Sequence, residues 1–260
     1  MSNLESKINQ SIELIHEYAP YAEIAGGYKV GFSGGKDSQV LYQLFKESGE
    51  KFTAVYNVTT NDPPDNVRFI RKNYPDVHFN IPKLNFWQLA IKKKALPTRI
   101  MRFCCSYFKE QSKGFYALGC RKEESFKRSR YETISLNNRK QFDKEKYKGE
   151  YVRFYPILEW REDEIWEYIE MRGITPNPLY ETFGRVGCMF CPFANKKQMI
   201  YWFEKYPKIK VQFIRTIDEL CKNGYMNKYQ PLTSEKILDW YMSKQPAAMF
   251  FGQLNIDFLI

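Results

Sequence analysis

The order of apolar and amphipathic segments predicts alternating helices and strands. Apolar residues recur at helical spacing over residues 4–18, and a short apolar strand, YKVGFS, follows the glycines at 26 and 27. The alternation continues with a helix, SQVLYQLFKESG, and a strand, KFTAVYNV. A helix then begins within residues 61–65, with Pro64 suited to its first turn, and runs to about Lys72, and a strand, VHFNI, follows. Helices between successive strands predict an α/β fold, with a parallel twisted sheet and helices on both faces.

The second half of the chain extends this pattern and then changes it. GFYALGC is predicted as a fourth strand, so the polar segment RKEESFKRSR that follows lies at the carboxyl edge of the sheet, where ligands bind in open α/β folds. Residues 137–150 read as a mobile polar linker, VRFYPI as a last strand and REDEIWEYIEMRG as an amphipathic helix. We therefore predict an α/β domain over residues 1–195 and a helical C-terminal extension over residues 196–260.

Composition adds a preference for anionic partners. Forty Lys and Arg against 30 Asp and Glu give a formal charge of +10, which favours nucleotides or nucleic acid, DNA or RNA. No apolar run reaches the length of a membrane span, and the start, MSNLESKINQ, lacks the order of a secretion signal. We expect a cytoplasmic protein with no membrane partner, in which cysteines serve metal, cluster or catalytic chemistry before disulfides.

The segment SGGKDS, at the junction of a strand and a helix, predicts an anion site. Its glycines let backbone N–H groups turn toward one point, and the helix start adds partial positive charge. The loop is too short for a Walker-type loop and ends in an acid, Asp37. It suits a departing pyrophosphate, with Lys36 neutralising the charge and the hydroxyls of Ser33 and Ser38 donating hydrogen bonds. Asp37 is predicted to cap the helix or to hold Mg²⁺.

SGGKDS resembles the pyrophosphate loop (PP-loop) of the adenine nucleotide alpha hydrolase superfamily, which includes ATP pyrophosphatases and phosphoadenosine-phosphosulfate (PAPS) reductases. The resemblance implies a fold of that type and an adenine nucleotide, ATP with Mg²⁺ or a sulfonucleotide, at Gly34 and Gly35. It also implies that the end of the second strand, Asn57-Val58-Thr59, lies near the adenosine.

Two cysteine pairs predict a second site. Cys104 and Cys105 are adjacent, and Cys188 and Cys191 form a C-x-x-C far along the chain. Adjacent cysteines strain a tetrahedron around one small ion, whereas a cubane cluster offers them separate corners, so a 4Fe-4S cluster is preferred and zinc is the alternative. Cys120 and Cys221 have no such partner and are interpreted as core residues. Trp160, Trp166 and Tyr180 are interpreted as packing residues of the amphipathic helix.

This cysteine pattern is similar to the cluster motif of assimilatory adenylylsulfate reductases. In that resemblance Lys109 corresponds to a lysine between cluster and substrate, and LGCRKEESFKRSR corresponds to a segment in which Arg121, Glu124, Ser125 and Arg128 are the matching positions. The two arginines suit a bidentate phosphate or sulfate clamp. PILEWREDEIWEYIEMRGITPNPLYETFGRVGC resembles the next block, whose Asn-Pro-Leu-Tyr turn leads into C-x-x-C, and the whole match spans about residues 28–195.

The sequence differs from those of these reductases, which attack sulfur with a cysteine in a short C-terminal tail. No cysteine follows Cys221 in the sequence. Since sulfonucleotide reduction needs an activated thiol, we expect no reductase activity unless a partner supplies one. The ATP pyrophosphatases of DNA phosphorothioation resemble the reductases, carry an iron–sulfur cluster and act on a polyanion.

The sequence therefore predicts an ATP pyrophosphatase that adenylylates a substrate in a sulfur-transfer pathway such as DNA phosphorothioation, with a cysteine desulfurase or other sulfur donor as partner. The alternatives are a reductase of adenylylsulfate or phosphoadenylylsulfate that uses an external thiol, and a non-catalytic nucleotide- or DNA-binding regulator. The predicted residues are Lys36, Asp37, Arg121 and Arg128 for catalysis, Ser33, Gly34, Gly35, Lys36, Asp37, Ser38, Asn57, Val58, Thr59, Lys109, Glu124 and Ser125 for the nucleotide, and Cys104, Cys105, Cys188 and Cys191 for metal.

Overall fold

The computed structural model describes residues 3–110, 113–136, 141–225 and 233–251. In chain order the elements are α1 (Asn3–Ile24), β1 (Tyr28–Gly31), α2 (Lys36–Ser48), β2 (Phe52–Asn57), α3 (Pro64–Asn73), β3 (His78–Asn80), α4 (Phe86–Lys92), α5 (Phe103–Phe108), β4 (Phe115–Leu118), β5 (Ile134–Leu136), β6 (Val152–Phe154), α6 (Glu162–Met171), α7 (Leu179–Phe183), α8 (Lys196–Lys205), α9 (Pro207–Lys222), α10 (Ser234–Ser243) and α11 (Ala247–Phe250). Short 3₁₀ helices cover Lys122–Glu124 and Arg128–Arg130.

The chain divides into two compact units. Unit 1 comprises Met1–Val58, Pro64–Ile81 and Glu110–Val186, and unit 2 comprises Thr59–Pro63, Pro82–Lys109 and Gly187–Ile260. The predicted boundary at residue 195 stays a prediction. The helical character predicted for the C-terminal region is confirmed by α8 to α11.

Unit 1 contains a six-stranded sheet in the order β3-β2-β1-β4-β6-β5. The four pairs from β3 to β6 are parallel, and β5 pairs with β6 in the antiparallel sense. The chain runs outward from β1 to β2 and β3, then returns to the other side of β1 with β4. The switch in direction therefore lies between β1 and β4, and the loops after these two strands border the crevice where open α/β sheets bind ligands.

The core of unit 1 follows from the strands' apolar runs. Val30, Phe115 and Phe154 are fully buried in neighbouring strands, as expected for parallel strands covered on both faces. Helix α1 buries Leu4, Ile8, Ser11 and Ile15, positions that share one helical face, against this core. The predicted α/β class and the helices on the sheet are thus confirmed.

Two local predictions are corrected in unit 1. The strand β5 was not predicted, because its three residues, all half-buried, carry too short an alternating pattern. Residues 137–150 were predicted to be a mobile polar linker, and this prediction is wrong for residues 141–150, which the structure describes. Tyr147 is 8% exposed and packs with Phe142 on the core. Two aromatic residues among charged neighbours supply enough apolar area to anchor that segment. Residues 137–140 lie outside the described residues.

Unit 2 is helical in its described part. Phe190 stacks on Phe203 of α8 at 4.8 Å between ring centroids, and Phe213 of α9 contacts Tyr241 of α10 at 5.4 Å. Leu89 of α4 packs with Phe108 of α5 in a smaller cluster. Across the described ranges, no helix combines the length and the apolar character needed to cross a membrane.

Candidate functional site

The loop between β1 and α2 has a backbone that only glycine accepts at its centre. Gly34 has φ of 75°, and a Cβ there would lie 2.5 Å from Asn66 Oδ1 and 3.0 Å from an Ile70 side-chain carbon. A larger residue would be strained by the left-handed backbone and would also collide with buried neighbours. The two glycines predicted for the anion loop, Gly34 and Gly35, are therefore placed at the start of α2 as expected.

Two buried asparagines hold the carbonyl groups of this loop. Asn66, 3% exposed, donates from Nδ2 to the Ser33 carbonyl at 3.1 Å. Asn177, 1% exposed, donates from Nδ2 to the Gly34 carbonyl at 2.9 Å and to Asn66 Oδ1 at 2.7 Å. These bonds hold the backbone carbonyl groups of Ser33 and Gly34 in place. Neither asparagine was predicted as a site residue, although Asn177 opens the Asn-Pro-Leu-Tyr turn.

Tyr180 contributes directly to the start of α2. Its hydroxyl accepts a hydrogen bond from the Lys36 N–H at 2.8 Å, and its ring contacts Trp166 at 5.1 Å. Burial raises the pKa of Tyr180 to about 12, so the phenol stays neutral at physiological pH. The ring of Tyr180 packs as predicted, but the hydrogen bond that its hydroxyl accepts from the loop was not predicted. Trp160, 3% exposed, is a core residue as expected.

The hydroxyls of the loop organise the backbone. Ser38 Oγ donates to the Gly35 carbonyl at 2.8 Å and accepts from the Ser33 N–H at 3.1 Å. The Ser33 and Ser38 Oγ atoms lie 3.1 Å apart. The prediction that Asp37 caps α2 is wrong, because the N-cap residue is Gly35. The side chain of Asp37 instead reaches the basic groups of the site.

Asp37 is bound by two cations. Arg121 Nε donates to Asp37 Oδ1 at 2.6 Å, and Lys36 Nζ lies 3.2 Å from Asp37 Oδ2 and 3.5 Å from Glu162 Oε1. Arg121 is 2% exposed, and burial by itself lowers the pKa of its guanidinium, but Asp37 and Glu123 raise the pKa above its ordinary value. The structure thus brings the β1 loop and the segment after β4 together through one ion-paired group.

Gly119 allows this approach. A Cβ at Gly119 would lie 2.8 Å from the Asp37 carbonyl oxygen, so the end of β4 contacts the first turn of α2 backbone to backbone. Arg121, two residues later, is thereby placed against Asp37. Arg121 was predicted from its place in a Gly-x-Arg segment and from its charge, and the role of Gly119 in positioning it was not predicted.

The remaining residues of the predicted clamp lie farther along the same segment. Glu124 Oε2 accepts from the Arg121 N–H at 2.8 Å and also pairs with Arg128 Nη1. Ser125 Oγ accepts from the Arg128 N–H at 3.3 Å. Arg128 is half-buried beside Cys120, where burial raises the pKa of the thiol to about 11. The thiol of Cys120 is thus protonated at neutral pH.

The three residues predicted at the end of β2, Asn57, Val58 and Thr59, make different kinds of contact. Asn57 Oδ1 accepts from Asn80 Nδ2 at 2.8 Å, and the Val58 N–H donates to the Asn80 carbonyl at 3.1 Å. Thr59 belongs to unit 2, where its Oγ1 lies 3.6 Å from Cys188 Sγ. The proximity of these residues to adenosine stays a prediction.

The four paired cysteines all lie in unit 2. Cys104 and Cys105 belong to α5, and the turn from Cys188 to Cys191 closes with the Cys191 N–H donating to the Cys188 carbonyl at 3.4 Å. Asn61, 3% exposed, holds this turn: its carbonyl accepts from the Met189 N–H at 2.8 Å and its Oδ1 accepts from the Phe190 N–H at 3.2 Å. Asn61 was not predicted.

The thiols act on one another electrostatically. A hydrogen bond with Cys105, then burial, raises the pKa of Cys104, and the charges of Cys188 and Cys191 add to the rise. The charge of Cys188 raises the pKa of Lys109, while Lys109 in turn lowers the pKa of Cys188 against a larger rise from burial. The predicted lysine therefore lies beside the predicted thiols.

Metal geometry is a separate question. Within residues 3–110, 113–136, 141–225 and 233–251, no three or more His, Cys, Asp and Glu side chains form a ready metal-binding group. Cys221, at the end of α9, is half-buried.

Comparison with known proteins places the chain in a family. Residues 28–194 match the Phosphoadenosine phosphosulfate reductase domain. The chain belongs to this family. The match confirms the resemblance seen in the sequence and identifies a PP-loop-type, nucleotide-utilising protein.

Relatives of this PAPS reductase-family protein carry different names. An uncharacterized protein of Methanocaldococcus jannaschii is 27% identical over 236 residues, which cover 85% of this chain and 54% of that protein. An Adenosine 5'-phosphosulfate reductase of Oceanobacillus iheyensis is 25% identical over 174 residues, which cover 61% of this chain and 68% of that protein. The chain thus spans about half the length of the first relative.

Solved structures were also compared. A phosphoadenylyl-sulfate reductase of Candida auris matches with a TM-score of 0.45 and 14% identity, over 71% of this chain and 95% of that one. An NH3-dependent NAD synthetase of Campylobacter jejuni also matches with a TM-score of 0.45 and 14% identity, over 88% and 97% of the two chains.

Proposed function

We propose that this PAPS reductase-family protein is an ATP pyrophosphatase that adenylylates a substrate in a sulfur-transfer pathway, DNA phosphorothioation being the specific case. The observation that carries the proposal is the Lys36–Asp37–Arg121 group at the start of α2. The two cationic side chains, Lys36 and Arg121, can bind the phosphates of a triphosphate that loses its pyrophosphate.

The pairing of acids and bases suits the ligand. Asp37, Glu123 and Glu162 pair with Lys36 and Arg121 in the structure, so the site carries both signs of charge. Magnesium triphosphate is an anion that carries a bound cation. When it replaces the ion pairs of the site, its phosphates can bind the basic side chains and its Mg²⁺ can bind a carboxylate. Mg²⁺ held by Asp37 would neutralise charge on the departing pyrophosphate.

The chain's own residues contribute positioning and charge. Lys36 and Arg121 stabilise the pyrophosphate oxygens as negative charge accumulates, and Asn66 and Asn177 hold the loop so that its donors need not reorganise. In the proposed reaction the acceptor oxygen bonds to the α-phosphorus of ATP. At the same time the bond breaks between the α-phosphorus and the oxygen that bridges it to the β-phosphorus. Pyrophosphate leaves with the electron pair, and a sulfur donor such as a cysteine desulfurase later displaces the adenylate.

We propose a 4Fe-4S cluster on Cys104, Cys105, Cys188 and Cys191. The donor set supports it: four thiols from two segments of unit 2 influence one another's pKa, and Lys109 beside them offsets thiolate charge. Such a cluster supplies thiolate-bound iron that holds the two segments together. Iron and acid-labile sulfide assays on anaerobically purified protein test this; stoichiometric zinc without iron contradicts it.

The experiment for the function measures pyrophosphate released from ATP and Mg²⁺, with and without DNA or RNA. Lys36→Ala is expected to remove the activity. Lys51→Ala is the matched control, because Lys51 is exposed next to the opposite end of the sheet, before β2 begins. No release by the wild-type protein, or equal release by Lys36→Ala, contradicts the proposal.

A second function is favoured by one observation: the matching Oceanobacillus iheyensis protein is an Adenosine 5'-phosphosulfate reductase. A reductase of adenylylsulfate or phosphoadenylylsulfate predicts sulfite when that sulfonucleotide and a thiol reductant are supplied. Sulfite without pyrophosphate release from ATP would replace the first proposal. Nucleotide binding without either product would indicate the non-catalytic regulator.

A further inference from the structure

The excess positive charge of the protein belongs to one unit. Unit 2 contains 17 Lys and Arg against 7 Asp and Glu, a net charge of +10, whereas unit 1 contains 23 of each. Within unit 2 the segment 82–109 has seven basic residues and no acidic one. A polyanion is therefore attracted to unit 2, while unit 1 has no net charge to offer.

Helix α10 separates two grooves of opposite character. Glu235 and Asp239 of α10 line one groove together with Glu204 and Lys210. The other groove, called here the Trp240 cleft, has a volume of about 530 Å³ and is lined by Pro97–Ile100, Pro192, Trp240, Tyr241 and 244–247. None of these lining residues of the described chain is acidic. Binding of an anion is therefore expected on the Trp240 side alone.

The cleft combines an aromatic wall with two basic side chains, Arg99 and Lys244. Arg99, which is exposed, donates from Nε to the Pro192 carbonyl at 3.4 Å. Lys244 Nζ lies 4.6 Å from the Tyr241 ring centroid and 3.3 Å from Met199 Sδ. Most of the remaining wall is apolar, with Trp240 held by its Nε1 donating to the Gln245 carbonyl at 3.0 Å.

This combination is the one used to bind single-stranded nucleic acid, in which basic side chains follow the phosphates and bases stack on aromatic rings. A cleft of this size accommodates one unstacked base and its sugar, and duplex bases stay stacked and unavailable.

We infer that unit 2 binds single-stranded DNA, with one base in the Trp240 cleft and the flanking phosphates at Arg99 and Lys244. The choice of DNA rests on the proposed function, because a DNA acceptor must be brought to the adenylylating enzyme. The binding itself requires neither ATP nor catalysis.

Fluorescence anisotropy with a labelled single-stranded DNA oligonucleotide, without nucleotide, tests the inference on the full chain. Trp240→Leu is expected to weaken binding about tenfold or more through lost stacking. Arg99→Ala should weaken binding and reduce the steepness of the plot of log affinity against log salt concentration by about one unit, as expected for the loss of one phosphate contact. Lys210→Ala removes the same charge on the other side of α10 and should leave the affinity nearly unchanged.

Several results would overturn the inference: no binding, equal loss in Lys210→Ala and Arg99→Ala, or duplex DNA binding as tightly as the single strand. An RNA of the same sequence that binds equally well would overturn the choice of DNA. Arg99 is exposed, so its variant is expected to fold even where Trp240→Leu does not. DNA binding without pyrophosphate release would refute the proposed function alone, and pyrophosphate release without DNA binding would refute this inference alone.

Discussion

Asn177→Asp isolates the network that holds the anion loop. The substitution keeps the size of the side chain and keeps an oxygen that can accept the Leu179 N–H, which Asn177 Oδ1 accepts at 3.1 Å. It removes the Nδ2 donor that binds the Gly34 carbonyl and Asn66 Oδ1. In its place an oxygen faces two other oxygens in a site where Asn177 is 1% exposed.

The magnitude follows from the lost donors. Two buried acceptors lose their partner, at about 1 to 3 kcal/mol each, so the free energy of unfolding should fall by about 2 to 6 kcal/mol. Repulsion between the new carboxylate and the Gly34 carbonyl also displaces the loop. If the displacement costs about 1.4 kcal/mol in nucleotide binding, the dissociation constant for ATP rises about tenfold.

Urea unfolding followed by circular dichroism measures the stability, and calorimetric titration with ATP measures the affinity. Asn73→Asp is the matched control, because Asn73 Nδ2 also donates to a backbone carbonyl, that of Phe69 at 2.9 Å, but on the exposed end of α3. The control should change stability by less than about 1 kcal/mol. If Asn177→Asp is as stable as Asn73→Asp and binds ATP normally, the asparagine network does not hold the loop.

Three further predictions follow. Gly34→Ala should cost about 1 to 3 kcal/mol more stability in urea unfolding than Gly49→Ala, because both have a positive φ but only Gly34 is crowded; equal losses would refute the crowding. Arg121→Met should destabilise unit 1 by about 3 kcal/mol, because it leaves Asp37 without its buried partner, and adding Asp37→Asn to this variant should restore part of the lost stability. If the two substitutions change the free energy of unfolding additively in a double-mutant cycle, the buried ion pair is contradicted. Burial raises the pKa of Tyr147 to about 12 in the folded protein, against about 10 in the unfolded chain. The free energy of unfolding should therefore fall by about 1.4 kcal/mol per pH unit as the pH rises from about 10 to about 12. Urea midpoints measured at these two pH values should show this fall in the wild type and lack the tyrosine's contribution to it in Tyr147→Phe.

The sequence predicted much of the fold because strands and helices leave local patterns. The apolar runs that became β1, β2, β4 and β6, and the periodic segments that became α2, α3 and α6, were recognised from neighbouring residues alone. The short β5 and the order of the strands were not, since pairing joins segments whose separation along the chain carries no local signal.

The candidate site divides in the same way. Gly34, Gly35 and Lys36 form a local string, so their place between β1 and α2 was predictable. The partners of that string were not: the Tyr180 hydroxyl reaches the loop from a residue 144 positions away, and Asn177 from one 143 positions away. A single polar residue in a turn has many possible partners, and only packing selects one.

Charge shows the same division between sequence and structure. The sequence by itself determined the net charge of +10, the string of the anion loop and the two cysteine pairs. Only the tertiary structure decided that the cysteine pairs and the whole charge excess belong to unit 2, and that Arg121 pairs with Asp37. The physical reason is that composition and motifs are properties of neighbouring residues, whereas burial and ion pairing depend on which distant segments the folded chain brings into contact.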